Sequence, residues 1–583
     1  MLKKLLFSTT YILLLTTCTL QAQDWQWIQR GGGYTTMSNG YTREGIVDIV
    51  VDSDNNSYTM SPIGGLQPDV AGNPLTFYGY SNNIPDYVLT SFSFDGTYRW
   101  SKVFGGGGNE TIEGVEIDAN DNVYVAGHFK TCVVNNYYAP HIDEDYIIDQ
   151  TVTPIDCRNT FITKFDKDGN FQWVQRPLSS SANSNDMRSM DLKTTADGTS
   201  YWLVTIDAPG TYADSFTYTG TDREVFILKY DTNGNFIEAI PLNIDVSDGG
   251  LQANMQLYIN PNNNYIYLTA HKSSSTSETF SIQGQTLTGS SYIACLDATG
   301  TLQWMLQDAQ PDLFYLAIKK LAFDSQNDMY IACSLAGFGL NTFLGLTINE
   351  NQVPHVIFKV DATTATTVHW YTYPDTFSTN NLYDLVYDDV NNKVVFTGRV
   401  QGDSNYTWGN QTIYPSTNNG SRPMMATFDP ANGDCTGLYF INGGPGALGN
   451  GRALAVDHSG DYLVGGDFNS YLNDANGNAI TSIGGDTDFF LTKFSTQACT
   501  PLSTQNNQAI NLQPYPNPTY NNINVPVTQQ TSYTLYNIQG ALLQQGTLNT
   551  NNQSVPLNNY PTGMYLLTLT TNGQSQTHKI IKQ

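Results

Sequence analysis

The sequence predicts an all-β protein: a seven-bladed β-propeller with four-stranded blades, followed by a small C-terminal β-sandwich. Three observations predict it. A short turn ahead of an aromatic strand recurs seven times along the chain, a second turn-and-strand segment keeps step with it, and the composition favours short strands over long helices.

Charged residues make up only 13% of the 583, whereas Gly numbers 50 and Tyr 37, a mix suited to strands joined by polar turns. Lys and Arg total 26 against 52 Asp and Glu, a net charge of −26. Such a chain repels phosphate backbones and anionic lipid surfaces, so nucleic acid is not an expected partner.

The N-terminus, MLKKLLFSTTYILLLTTCTLQAQ, reads as a signal peptide over residues 1–22. Lys3 and Lys4 precede an apolar run from Leu5 to Leu15, and Ala22 is a small residue at which a peptidase could cut. The run is too short to cross a bilayer and no later segment approaches the roughly 20 apolar residues that a spanning helix needs. No transmembrane segment is therefore expected, and the mature chain should be soluble. Cys18 follows Thr17, where lipoprotein signals carry Gly, Ala or Ser, so lipidation is not expected. With Cys18 in the signal, six of the seven cysteines remain in a disulfide-permissive compartment. Cys132 and Cys157 bracket one insertion and are the candidate disulfide; Cys295 and Cys333, in the apolar runs YIACLD and MYIACS, read as buried thiols.

In register, the recurring turn reads DWQW (24), DGTYRW (95), DGNFQW (168), NGNFIE (233), TGTLQW (299), TTVHW (366) and NGDCTG (432), at a spacing of about 65 to 73 residues. Keeping step are seven turn-and-strand segments, among them DANDNVYVAG (118), DSQNDMYIAC (324) and DHSGDYLVGG (457). A further strand precedes each opening turn, from YVLTSFSFDG to DFFLTKFS at 488–495. Weaker candidates such as SFTYTG (215), TFSIQG (279) and NQTIYP (410) are taken as the fourth strand of each period.

A Gly-bearing turn this short makes the flanking strands an antiparallel hairpin, so each blade borrows its last strand from the next sequence period. That phase leaves the seventh blade one strand short. The spare strand is DWQWIQR at the mature N-terminus, which is expected to pair with DFFLTKFS and close the ring over residues 23–496, covering an edge that would otherwise invite aggregation. The repeats resemble the bacterial β-propeller repeat of secreted and surface proteins, with its Trp, Gly pair, Asp, turn and Val-Tyr-Val-x-Gly strand. Residues 173–235 keep the Trp and the turn but lose the Gly pair, and TTVHW loses the Gly turn.

A polar linker is expected over residues 497–511 and a separate domain over 512–583. The latter carries Pro516-Asn517-Pro518, Tyr536 with Gly540, then Pro561, Gly563 and Tyr565, and a closing run from Lys579 to Lys582. In this order at the C-terminus, these motifs resemble the C-terminal sorting domain of the bacterial type IX secretion system. The resemblance implies an Ig-like sandwich, the type IX machinery as partner, and export across the outer membrane to a secreted or cell-surface location.

No nucleophile elbow, zinc helix, C-x-x-C or Walker loop is present, so no catalytic and no metal-ligating residue is assigned. GGGG at 105–108 lacks the Lys-Ser or Lys-Thr of a phosphate loop and is read as a crossover between blades. No cofactor is expected, the Asp-rich turns admitting at most an incidental calcium ion.

The most individual segment is the insertion KTCVVNNYYAPHIDEDYIIDQ (130–150), expected on the same face as the DGN turns. Tyr137, Tyr138, His141, Asp143 and Asp145, with Glu144 among them, form the candidate ligand site, because aromatic faces beside carboxylates suit sugar rings and their hydroxyls; the plain alternative is a loop packed on its neighbours. The favoured function is non-catalytic binding of a glycan, peptide or matrix ligand by an exported propeller. The alternative is a polysaccharide- or glycoconjugate-acting hydrolase or lyase whose carboxylates gather at the axis.

Overall fold

The computed structural model describes residues 24–34, 44–79, 85–106, 108, 110–130, 139–148, 158–177, 187–213, 215–246, 255–271, 280–289, 291–308, 314–337, 340–349, 355–376, 381–416, 420–483, 487–495, 512–538, 540–571 and 574–583. The signal peptide, the expected linker, Tyr137, Tyr138, Cys132 and Cys157 lie outside the described residues. The described chain is all-β without helix, 62% of it strand, and it packs as two units, Met1–Cys499 and Thr500–Gln583.

Among the described residues, the first unit contains seven antiparallel arrays built on four strands each: five are four-stranded sheets, and the first and the seventh carry two further short strands at one edge. The second is typical: Thr111–Ile117, Val123–Lys130, Arg158–Phe165 and Phe171–Gln175, each hydrogen-bonded to the next. The last two form the hairpin that the DGN turn predicts, with Lys164 opposite Trp173. In the seventh array the fourth strand is Asp24–Tyr34. It pairs antiparallel with Asp488–Ser495 from Asp24 opposite Ser495 to Gly31 opposite Phe489, the junction expected from the phase of the repeat.

One strand of each array differs from the expectation. The first strand, such as Thr111–Ile117, lies ahead of the Asp turn, whereas SFTYTG, TFSIQG and NQTIYP belong to separate small sheets. Phe216–Tyr218, for instance, forms a two-stranded sheet with Gly210–Tyr212. The physical reason is a bulge. Pairing slips by one residue between Ile112 and Gly114, Ser189 and Asp191, Ile318 and Lys320, Leu382 and Asp384, and Gly451 and Ala453, which breaks the alternation by which a strand is recognised in sequence. The surface hairpins alternate cleanly and mislead. The correction moves the insertion: with the first strand added and the hairpin strand removed, the connection between second and third strands leaves the array at the end opposite the DGN turns. The described residues of the insertion, 139–148, therefore lie toward the other end than the sequence reading places them.

Among the described residues of the first unit, apolar side chains gather in seven clusters, each between two consecutive arrays. One joins Tyr124 and Ile162 of the second array to Trp202 and Leu228 of the third. Another joins Phe489 and Leu491 of the seventh to Val88 and Phe92 of the first. The succession of cores therefore returns to its start.

The repeated turn has a job in this arrangement. Gly96, Gly169, Gly234 and Gly433 adopt φ of 82°, 81°, 82° and 78°, and each lies under the indole of the preceding array: Trp27, Trp100, Trp173 and Trp370. A Cβ at Gly169 would stand 2.7 Å from Trp100, so only Gly combines this φ with this contact. The indole N–H donates to a carbonyl of the same turn, Trp100 Nε1 to Lys167 O at 3.3 Å and Trp173 Nε1 to Thr232 O at 3.1 Å. Trp27 Nε1 donates to Phe94 O at 3.3 Å, which ties the N-terminal strand to the first array.

The second unit is a sandwich of a four-stranded sheet, ordered Leu542–Leu548, Thr531–Asn537, Gly563–Thr571, Gln574–Lys582, with a pair formed by Asn522–Asn524 and Ser554–Pro556. Its core holds Ile523, Leu535, Leu567 and Ile580.

Candidate functional sites

The first strands pack against one another around the cycle and bring scattered charges together. Asp48, Asp191 and Asp384 recur at one repeat position, and each carboxylate spans two arrays. Asp48 accepts from Ile49 N at 3.0 Å and Val115 N at 3.1 Å, Asp191 from Leu192 N at 2.8 Å and Leu257 N at 2.7 Å, and Asp384 from Leu385 N at 2.8 Å and Leu454 N at 2.9 Å. Lys320 lies 3.1 Å from Asp384, and Lys193 pairs with Glu116 and lies 3.8 Å from Asp191. Burial pushes the Asp191 and Asp384 carboxyls up, and the neighbouring lysines pull them back. Glu113, half-buried near Asp191, is pushed well up by burial. The Asp carboxylates thus join backbones across arrays, each oxygen accepting from a backbone N–H.

His141 and Ile142 add to the outer edge of the first array opposite Gly105 and Phe104, and Tyr146–Ile147 pair outside them. The described part of the insertion is therefore packed on its neighbour. Of the candidate residues, His141 stacks on Tyr78 with ring centroids 4.1 Å apart and planes at 7°. Asp143 and Asp145 converge on Lys102 Nζ at 3.5 and 2.6 Å. Glu144 is exposed.

Beneath this surface lies a buried acid pair that the sequence reading missed. Asp86 Oδ2 accepts from Tyr78 N at 2.6 Å, and Gly79 and Gly106 also donate to the carboxylate. Glu110 accepts from Gly108 N at 3.3 Å. Burial raises Asp86 to about 7, and burial together with the Asp86 charge raises Glu110 well above its usual value. Gly106 and Gly108 of the GGGG run thus donate to the protein's own buried carboxyl groups. An equivalent pair joins the seventh array to the first. Glu44 accepts from Gly33 N at 3.0 Å, and Asp488, raised to about 6 by burial, bonds Arg30 at 3.0 Å. The available signal was the repeat: Glu44 and Glu110 each lie four residues ahead of the same position, held by Asp48 and Gly114.

Two clefts open between arrays. One of about 310 Å³ lies between the second and third and is lined by Gln175, Arg176, Ser215 and Phe236. The other, of about 620 Å³, lies between the third and fourth and is lined by Pro241, Asn243, Ser281, Gln283, Thr299 and Thr301. Among the described residues, no three His, Cys, Asp or Glu side chains are gathered as a metal ion would require. Cys295 and Cys333 are buried free thiols, as is Cys435.

In the C-terminal unit the motif residues meet at the last strand. Asn517 donates from Nδ2 to Lys579 O at 2.6 Å and accepts from Ile581 N at 2.8 Å, acting as a side-chain clamp on the edge of Gln574–Lys582 between Pro516 and Pro518. Tyr565 donates its hydroxyl to Pro561 O at 2.7 Å. Gly540, at φ 82°, closes the hairpin by donating to Asn537 O at 3.0 Å.

Residues 513–583 match the secretion system C-terminal sorting domain family. The C-terminal unit is thus a type IX sorting domain, which directs the chain to secretion at the cell surface or outer membrane and implies contact with the type IX machinery. No helix among the described residues is long and apolar enough to cross a membrane. No curated protein matches the chain in sequence. Among solved structures, it is similar to a protein of unknown function from Dyadobacter fermentans at 12% identity and TM-score 0.34, covering 67% of this chain and 95% of that one. A luciferin-regenerating enzyme follows at 8% identity and TM-score 0.28, covering 66% and 95%. The WD40 domain of SCAP from fission yeast matches at 8% identity and TM-score 0.23, covering 81% and 99%.

Proposed function

We propose that the mature protein is a seven-bladed β-propeller, exported after removal of residues 1–22, that acts by binding a glycan, peptide or matrix component rather than by catalysis. The propeller reading rests on seven four-stranded arrays whose cores form a closed succession, with Asp24–Tyr34 completing the last. The observation that carries the binding reading is the use of the axial Asp carboxylates. Asp48, Asp191 and Asp384 place their oxygens on backbone N–H groups of two arrays each, which gives these carboxylates the work of tying neighbouring arrays together. Ligand contact falls to the surface, where His141, Asp143 and Asp145 are held beside Tyr78 and Lys102. Tyr137 and Tyr138 belong to the same insertion.

The test is a glycan and peptide array run with purified mature protein, paired with a reducing-sugar assay on every glycan that binds. Retention without release of reducing ends is the expected result. Hydrolysis that disappears in an Asp191→Asn variant of unchanged melting temperature would return the axis to the role of an active site.

A further inference from the structure

We propose that the cleft between the third and fourth arrays is a binding site for a neutral saccharide unit; this deepens the binding reading above and rests on it. The argument begins with a missing side chain. In the second array Trp173 stands opposite Lys164 and covers the next turn; in the third the same register position holds Glu238, opposite Lys229 and bonded to it at 2.7 Å. No indole therefore covers the turn at Asp297–Thr301. Ile240 lies against Gly300 instead, and Gln283, reaching over from a neighbouring hairpin, donates to Gly300 O at 2.6 Å and accepts from Leu302 N at 2.9 Å.

What remains is a cleft of about 620 Å³. That is within the range of small-ligand sites, roughly 300 to 1,000 Å³.

The lining chooses the ligand class. It consists of an Asn, a Gln, a Ser and two Thr with one Pro and two Gly, and none of these residues is charged. Asn243 and Ser281 make no side-chain hydrogen bond among the described residues, so an amide and a hydroxyl are free to donate and accept. Nothing lies within 4 Å of the position a Cβ would take on Gly284, which keeps one wall open. The cleft lacks a cation for a carboxylate or phosphate ligand, and the chain's net charge of −26 opposes anions at long range. It also lacks a lining carboxylate that would hold an amine. Groups that both donate and accept, set in an uncharged wall, suit a ring bearing several hydroxyls.

The test uses the mature full chain and isothermal titration with neutral hexasaccharides of glucose, xylose, mannose and N-acetylglucosamine, with polygalacturonate and a neutral peptide as comparators. Asn243→Gly, compatible with the φ of 50° at that position, is combined with Ser281→Ala to remove the free polar groups, and Thr301→Trp separately fills the cleft. Loss of two hydrogen bonds should weaken the best neutral hexasaccharide about tenfold or more, and Thr301→Trp should abolish its binding while melting temperatures hold. Wild-type affinity in both variants, or no neutral hexasaccharide binding at all, overturns the cleft. If affinity instead falls with His141→Ala, or if only the peptide binds, the binding reading survives without it; cleavage of a hexasaccharide would defeat that reading itself.

Discussion

Two junctions of the molecule hold the same acid pair in different company. Between the seventh array and the first, Asp488 and Glu44 lie beside Arg30, which bonds both Asp488 and Asp69. Between the first and the second, Asp86 and Glu110 occupy the equivalent places, but the residue corresponding to Arg30 in the strand register is Val103. The backbone slot is alike, with Gly N–H groups donating to the acids. The counter-charge is not, and Asp86 is raised to about 7 against about 6 for Asp488. A third version occurs in the sixth array, where buried Arg422 fills the position and donates to the Gly443 and Gly444 carbonyls at 3.1 and 2.8 Å. In these three arrays the slot holds a charged side chain that bonds nearby backbone, and either sign of charge serves.

The largest expected effect breaks the comparison outright. Deleting residues 24–30 removes Arg30 together with the strand that covers Asp488–Ser495, and the melting temperature of the first unit should fall by about 10 °C or more by calorimetry.

Next comes Arg30→Met, which makes the first junction resemble the second. A buried Asp488 left without its cation should cost about 3 kcal/mol near pH 8, measured by urea unfolding, and clearly less near pH 5, where the carboxyl takes up a proton. A loss independent of pH would mean that Arg30 acts through packing alone.

Asp86→Asn should do the opposite. Because the folded-state pKa of Asp86 is raised, its stabilising contribution is complete below the unfolded value near 4 and is lost as pH climbs through about 7. The neutral amide removes that loss. Near pH 8 the variant should therefore be more stable than wild type by on the order of 2 kcal/mol, with the gain fading near pH 4. The smallest effect belongs to Trp100→Phe, which keeps the ring over Gly169 but drops the bond to Lys167 O, for about 1 kcal/mol in the same unfolding assay.

Much of this was legible in the residues because it repeats. A turn that places Gly under an indole leaves a mark at four junctions, and with the turn-and-strand segments that keep step with it the count yields the seven arrays and the pairing of Asp24–Tyr34 with Asp488–Ser495. The first strands were not legible, because a bulge next to Gly114 or Asp191 interrupts the period of two that betrays a strand. Counting a surface hairpin strand between the second and third strands put the insertion at the wrong end, since each strand placed between two connections of a meander reverses the end from which the later one leaves.

By itself the amino-acid order determined what local chemistry writes repeatedly or contiguously: the number of units, the strand that completes the last one, and the sorting domain. Only the tertiary structure decided which charges meet. Asp86 and Glu110, Asp384 and Lys320, and the walls of the cleft at Asn243 and Thr301 come from different strands or different arrays, and their encounter depends on bulge, register and crossover geometry that no short stretch of sequence encodes.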